Sequence, residues 1–466
     1  MADAPQDVTA PVETGKRASA SRSLAAWAWV IADAAKMPYF ALVTLFVFSA
    51  YFTATVVGDP VKGQVLWSQV TTVAAFVLAI GAPVLGAIAD AGGHRKVWIG
   101  LFSALAVPGM ICLAFATPNM GPGVYWIMGA LLAAALGLEF IPIFMNSLLP
   151  TIAKPNEVGR MSGFGMAASN VLNFSSVLFF LLAWSWNSTP LFGLELSTGG
   201  PQRAVGPLAA VIFVAFSLPF YFLTPDTAVA KVRIREAVVR AFRSILNTVD
   251  KLRNYPNVAQ YMGARIIYSD GFIVLTLFTG VYAAGIMHWS ATTIAVQGLI
   301  NSGCAMLGGL LAGFIDRTIG TKRSVILAVL GCLAANITLC FVNPDVIFFV
   351  PVASDPSATG LFPSAADKVF SVAQASIALF SATAVAASRT MVIRLVPSNM
   401  LGEFFGLFAL TGTATSFLGP LAIGLVTSYF QSQQAGLGVG VTFLTAGLIW
   451  MFFVREPTDE DSRPRP

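Results

Sequence analysis

Apolar runs of about twenty residues, each closed by Pro, Gly or charge, recur along the whole chain. That is the length an α-helix needs to cross the hydrocarbon of a bilayer. Cutting at the breaks predicts twelve helices, over 24–53, 67–89, 97–117, 123–146, 161–183, 204–224, 258–284, 292–315, 324–343, 369–391, 401–427 and 435–454. The end of the ninth is the least sharp, because "VIFFVPV" after Asp345 could extend it. The alternating ten-residue segments of an outer-membrane barrel are absent from the pattern. A polar stretch at 225–257 divides the runs into six and six. The expected organisation is a disordered tail (1–23), a six-helix bundle (24–224), a basic amphipathic linker (225–257), a second six-helix bundle (258–454) and a short tail (455–466).

Composition agrees with an all-α membrane protein. Of 466 residues 56% are hydrophobic and 11% charged, against about 25% charged in soluble domains, and the mean hydropathy is +0.76. The first twenty or so residues read as a polar tail, without the basic and apolar regions of a secretory signal. Cys112, Cys304, Cys332 and Cys340 lie in apolar segments without CxxC spacing and read as small apolar side chains. A metal or disulfide role is not expected of them.

The placement of charge orients the helices. With both termini on the cytoplasmic side, 21 of the 27 Lys and Arg fall in cytoplasmic tails and loops. Only Lys62, Arg203 and Lys368 fall in outer loops. The linker carries seven basic residues against Asp226, Glu236 and Asp250, a net of +4. It reads as a cytoplasmic connection obeying the same bias, or as a surface helix on anionic lipid headgroups. Membrane lipids are thus expected partners; nucleic acid is not.

The two halves repeat each other. "GAIADAGGHRKV" follows the second run and "AGFIDRTIGTKRSV" the eighth; "VGRMSGFG" and "LGEFFGLF" open the fifth and eleventh. Internal repeats build many secondary carriers, with the solute site where the repeats meet. The first stretch resembles the signature loop of the major facilitator superfamily, filled here by Gly86, Asp90, Gly93, Arg95 and Lys96. The resemblance implies a cytoplasmic latch, with Gly86 permitting close helix approach. The second copy supplies Asp316, Arg317, Lys322 and Arg323, but Ala312 replaces the first glycine and Gly320 comes one residue late. A weaker latch is expected there.

"WVIADAAKMPYF", "FMNSLLP", "RIIYSDGF" with "TGVYAAGI", and "EFFGLFALTGTATSFLGP" resemble the first, fourth, seventh and eleventh helices of the vacuolar amino-acid effluxer family linked to autophagy. The resemblance implies export of amino acids or related metabolites by alternating access. Three positions depart from it: Lys36 stands for an asparagine, Met145 for a tyrosine before Asn146, and "GMAASN" for a Gly-Tyr pair. In "TGTATSFLGP" the glycines, hydroxyls and Pro420 predict a bendable helix.

Charges at membrane depth cost roughly 2.5–3.5 kcal/mol each on insertion scales and face a cavity or a partner. Six fall within spans: Asp33 and Lys36 in the first, Glu139 in the fourth, Arg265 and Asp270 in the seventh, Arg389 in the tenth. The superfamily resemblance implies that these four helices line the central cavity. At about 1.5 Å per residue, Asp33 lies roughly 14 Å and Asp270 roughly 18 Å from the cytoplasmic start. Glu139 and Arg389 are expected near the cytoplasmic ends. Asp33 and Lys36 share a face and could pair; Asp33 with Arg265, or Lys36 with Asp270, would join the halves. A desolvated carboxylate holds a proton more tightly and can carry one, so Asp33 and Asp270 are candidate coupling groups. Tyr39, Tyr268, Asn146, Asn170 and Asn173 offer neutral hydrogen bonds. Arg389 could instead snorkel, Glu139 could be a helix-end carboxylate, and Arg265 could be a gate or a solute-carboxylate clamp.

No GxxxxGK[ST] and only two histidines, His94 and His288, argue against an ATPase, a metal enzyme or a cofactor. The expectation is a monomeric inner-membrane carrier of a small polar solute, coupled to protons or another ion. A lipid flippase of the same fold and a non-transporting receptor are the alternatives.

Overall fold

The structure is a computed structural model. It describes residues 23–91, 94–152, 158–186, 190–226, 249–352, 360–396 and 400–456, with 236, 239 and 243 of the linker. The tails and most of the linker, with their predicted disorder and amphipathic helix, lie outside the described residues.

Helices α1 (Ser23–Val56), α2 (Pro60–Ala91), α3 (Arg95–Cys112), α4 (Val124–Ile152), α5 (Val158–Phe180) and α6 (Gly200–Leu223) form one bundle. The second holds α7 (Pro256–Leu277 and Thr279–Gly285), α8 (Ala291–Ile319), α9 (Thr321–Cys340), α10 (Ala365–Leu395), α11 (Leu401–Thr411 and Leu418–Phe430) and α12 (Gln433–Phe453). Among the described residues ten helices are long and apolar enough to cross a membrane, and α7, bent by 48°, counts as an eleventh; α11 consists of two shorter helices, in the place of the remaining span of the twelve. The end carrying residues 23 and 456 is called proximal below, the other distal.

Small residues set the spacing within each bundle. A Cβ on Gly109 of α3 would lie 2.7 Å from the Ala130 carbonyl of α4, and one on Gly137 would lie 2.6 Å from the Phe102 carbonyl. Such contact brings backbones together where lipid supplies no hydrophobic drive between helices.

Besides α5, which ends as π-helix over Leu181–Ser185, three helices depart from regular winding. Pro38 has no N–H and displaces the carbonyl one turn back, and α1 turns at Ala35–Lys36 and continues as π-helix over Tyr39–Phe46. The α7 bend falls at Phe278, and α11 is broken over residues 412–417. The bend in α11 is therefore a full interruption in the glycine- and hydroxyl-rich stretch. The "VIFFVPV" stretch does not extend α9, which stops at Cys340. It folds into an antiparallel meander of β1 (Val342–Asn343), β2 (Val346–Ile347) and β3 (Val350–Pro351), turning on Phe348 and Phe349 at φ 46° and 68°. Lys62, Arg203 and Lys368 sit in the opening turns of α2, α6 and α10 rather than in loops.

Candidate functional site

Among the described residues, every hydrogen bond between the two bundles lies in their distal half. Gln64 of α2 donates to Thr427 Oγ1 of α11 at 2.6 Å and to the Gln433 carbonyl at 3.4 Å, and Gln433 donates to the Pro60 carbonyl at 3.0 Å. Asn173 of α5 donates to Ser302 of α8 at 3.3 Å, and the Ser185 and Thr292 hydroxyls meet at 2.5 Å. Glycines let the bundles close: a Cβ on Gly280 of α7 would stand 2.9 Å from the Phe46 carbonyl of α1, and one on Gly298 of α8 would stand 2.9 Å from the Phe46 ring. The Phe76 and Phe417 rings, with centroids 5.3 Å apart, mark the proximal limit of the seal between α2 and α11. Beyond it no hydrogen bond or ion pair joins the bundles among the described residues, and Asn146, Asn170 and Arg389 are exposed. The arrangement is that of a carrier sealed distally and open proximally.

The N-terminal bundle gathers three of the predicted charges. Lys36 Nζ lies 2.9 Å from Asp33 Oδ1, with both side chains about one-fifth exposed (17% and 21%). Glu139 of α4 is an electrostatic neighbour of Lys36. The pair stands at the irregular turn before Pro38, and Trp29 pins this part of α1 to α4 through the Met145 carbonyl at 2.9 Å. Gly165 of α5 lies beside it: a Cβ there would be 3.4 Å from Asp33 Oδ2, an ordinary contact. Glu139 is not near the proximal end: α4 runs on to Ile152, which puts this carboxylate midway along the helix.

The C-terminal bundle uses its charges differently. Arg265 does not pair with Asp33. Its Nη1 donates to the Phe408 carbonyl of α11 at 2.8 Å and to Thr411 Oγ1, and its Cζ lies 3.6 Å from the centroid of the Phe408 ring. It thus caps the last carbonyls of Leu401–Thr411, where the helix dipole favours a cation. Asp270 does not pair with Lys36. It is 2% exposed, has no ion-pair partner among the described residues, and faces Thr415, whose hydroxyl makes no hydrogen bond of normal geometry. A Cβ on Gly419 would lie 3.2 Å from the Asp270 backbone carbonyl, so α7 at this residue packs against the start of Leu418–Phe430. The two α7 charges therefore flank the break in α11. Arg389 of α10 is exposed and is an electrostatic neighbour of Arg265.

Two of the neutral candidates are interior. Tyr39 is buried with its hydroxyl 3.4 Å from the Leu131 carbonyl of α4. Tyr268 is buried against Tyr261 and Ser388, 2.8 Å from the latter's hydroxyl. Neither lines the cleft in this state. Gln64, Thr427 and Gln433 were not singled out from the sequence, where a neutral polar residue in an apolar run looks like any interhelical hydrogen bond. The signal was their position: all three lie at distal ends of helices that meet across the halves.

The two repeat loops tie helix ends within their own bundles. Arg95 donates to the Ala89 carbonyl at 2.9 Å and the Ser147 carbonyl at 2.6 Å, and Lys96 to the Tyr221 carbonyl at 2.7 Å. In the second copy Asp316 pairs with Arg394 at 3.1 Å, and Lys322 reaches the Phe452 carbonyl at 3.3 Å. Each loop thus holds the ends of the fourth and sixth, or tenth and twelfth, helices. Gly320 is late because it occupies the helix N-cap, at φ 90°, where the first copy has His94 at φ 66°. That position comes four places after the aspartate in both copies. A Cβ on Gly86 would meet no neighbour within 4 Å in this state, contrary to the expected close approach. Arg317 and Arg323 are exposed. The Asp90 side chain and Gly93 lie outside the described residues.

Known proteins agree with this architecture. An uncharacterized MFS-type transporter, YxiO of Bacillus subtilis, is 20% identical over 449 residues, covering 93% of this chain and 95% of its own. Autophagy-related protein 22 of Cryptococcus neoformans is 24% identical over 254 residues, 53% of this chain and 43% of its own. Among solved structures the nucleoside transporter NupG superposes with a TM-score of 0.65 at 12% identity, over 92% of this chain and 98% of its own. A D-xylose-proton symporter gives 0.65 at 13% identity over 94% and 98%. The profile of the family described as "Vacuole effluxer Atg22 like" matches residues 160–460. With two six-helix bundles closed at one end around a charged cleft, the chain is a transporter of the major facilitator type and belongs to the Atg22-like vacuole effluxer family.

Proposed function

We propose that this transporter exports a zwitterionic solute, an amino acid or a close derivative, in exchange for protons carried by Asp270. The observation that carries the reading is the opposite polarity of the two cleft walls. The N-terminal wall sets two carboxylates, Asp33 and Glu139, around one ammonium, Lys36. The C-terminal wall sets two guanidinium groups, Arg265 and Arg389, near each other. A solute bearing an ammonium and a carboxylate is complementary to both walls at once. The word "effluxer" in the family description supports the direction. The distribution of Lys and Arg supports proximal ends, and both termini, in the cytoplasm of a bacterial cell.

Asp33 is engaged by Lys36, whereas Asp270 is a buried carboxylate with no counter-charge among the described residues, the better placed of the two to carry a proton. Proteoliposome counterflow with labelled amino acids, organic anions and sugars, with and without an imposed pH gradient, tests the reading. Asp270→Asn is expected to keep solute-for-solute exchange and lose accumulation driven by the gradient. Exchange of sugars but not amino acids would remove the zwitterion; gradient-driven accumulation by Asp270→Asn would remove Asp270 as the proton carrier.

A further inference from the structure

On the flank of the C-terminal bundle, away from the cleft, α9 and α10 diverge around a groove of about 580 Å³. Its walls carry Ala334 and Val372, and Lys368 stands at its distal mouth. Thr338 and Ser376 also line it, but each hydroxyl is turned back onto its own helix, to the Ala334 and Val372 carbonyls at 3.0 and 2.8 Å. The wall presented to the membrane is therefore effectively apolar. The inner end is closed where the Phe380 ring packs on Gly331.

The dimensions fit one leaflet. Lys368 to Phe380 spans twelve residues of α10, about 18 Å at the helical rise. Half the hydrocarbon core of a bilayer is about 15 Å. The level of the membrane surface is marked next to the mouth, where Phe341, Phe348 and Phe349 of the β1–β3 meander are 41%, 45% and 79% exposed. Exposed aromatic rings at the end of a span sit at headgroup depth. Lys368 is exposed at that same end and has no ion-pair partner among the described residues. A free ammonium at headgroup depth above an apolar slot that ends at the midplane is complementary to a phosphate carrying an acyl chain.

We propose that the α9–α10 groove is a binding site for an anionic phospholipid of the distal leaflet, with one acyl chain along Ala334 and Val372 and the phosphate on Lys368. The site is separate from the cleft, and its test does not depend on the transported solute. Full-length protein is reconstituted in nanodiscs with equal phosphatidylglycerol and phosphatidylcholine of matched chains, released into detergent, and its retained lipids counted by native mass spectrometry. Wild type is expected to retain phosphatidylglycerol about fivefold over phosphatidylcholine, the effect of one lysine at an anionic surface. Lys368→Gln, at an exposed position, is expected to erase that preference. Ala334→Phe, which fills the slot from its exposed wall, is expected to lower retention of both lipids about threefold or more. Equal retention by wild type, or a preference that survives Lys368→Gln, overturns the headgroup site. Unchanged retention by Ala334→Phe overturns the acyl-chain seat.

Discussion

Lys36 stands between two carboxylates on a wall of the cleft, and its removal leaves like charges facing each other. Breaking a partly buried pair by deleting one partner costs more than the pair contributes, because the other charge stays desolvated. Lys36→Met is expected to destabilise the protein by about 1–3 kcal/mol, seen as a lower unfolding temperature. Asp33→Asn added to it is expected to recover most of the loss. Arg265 makes a different demand: its planar fork holds the Phe408 carbonyl and Thr411 while stacking on the Phe408 ring. A lysine keeps the charge but not the fork or the stacking. Arg265→Lys is expected to cut counterflow roughly tenfold, the size of losing about 1.4 kcal/mol; unchanged rates would reduce Arg265 to a bare charge. The six intramembrane charges were legible because their cost in lipid demands a reason. Their partners were not. Which face a side chain presents depends on how each helix is rotated and where its neighbours break. The break in α11 placed a free carbonyl end opposite Arg265 and a helix start opposite Asp270, so neither needed a partner on the other half.

The interruption in α11 is the element on which those residues act. Gly412, the C-cap at the start of the break, has helix-compatible backbone angles (φ −89°) and room for a side chain: a Cβ would lie 3.5 Å from Arg265 Nη2, an ordinary contact. Glycine there is unfavourable to helix by about 1 kcal/mol relative to alanine. Gly412→Ala is expected to leave the unfolding temperature within a few degrees and to slow transport turnover several-fold, by favouring a continuous α11. Faster turnover, or a large loss of stability, would contradict the break as a moving part. Composition made a bendable helix expected here. The extent of the break was not readable, because it depends on Arg265 and Asp270 arriving from α7. The end of α4 lies beyond the expected 146, and that of α9 was left open, for a related reason. Apolar composition alone neither stops a helix nor distinguishes "VIFFVPV" as a meander from a further helical turn, whereas the two-residue turn on Phe348 and Phe349 does.

Among the described residues the two bundles are joined by hydrogen bonds between neutral groups at one end only. Gln64, Thr427 and Gln433 share three hydrogen bonds there, and all three residues are buried. At about 0.5–1.5 kcal/mol each, their loss is enough to move a two-state balance by roughly one to three orders of magnitude. Gln64→Leu is expected to populate the distally open state, with spin labels at Asp59 and Ser432 showing a longer distance in the variant than in wild type. An unchanged distribution would place the closing energy elsewhere, in the glycine contacts of α1 with α7 and α8. That two halves meet around a solute site was expected from the repeat in the sequence, but which helices pair and the state were not, since a carrier's sequence specifies every conformation it visits.

The distal closure is built from amides, hydroxyls and glycine contacts, without an ion pair across it among the described residues. A membrane potential does work only on moving charge, about 2.3 kcal/mol per elementary charge per 100 mV. Voltage therefore has no handle on that gate itself. Any electrical bias on the transport cycle must enter through Asp33, Lys36, Glu139, Arg265, Asp270, Arg389 and the solute's own charge, and would change with the protonation of the cargo-loaded cleft rather than with the strength of the seal.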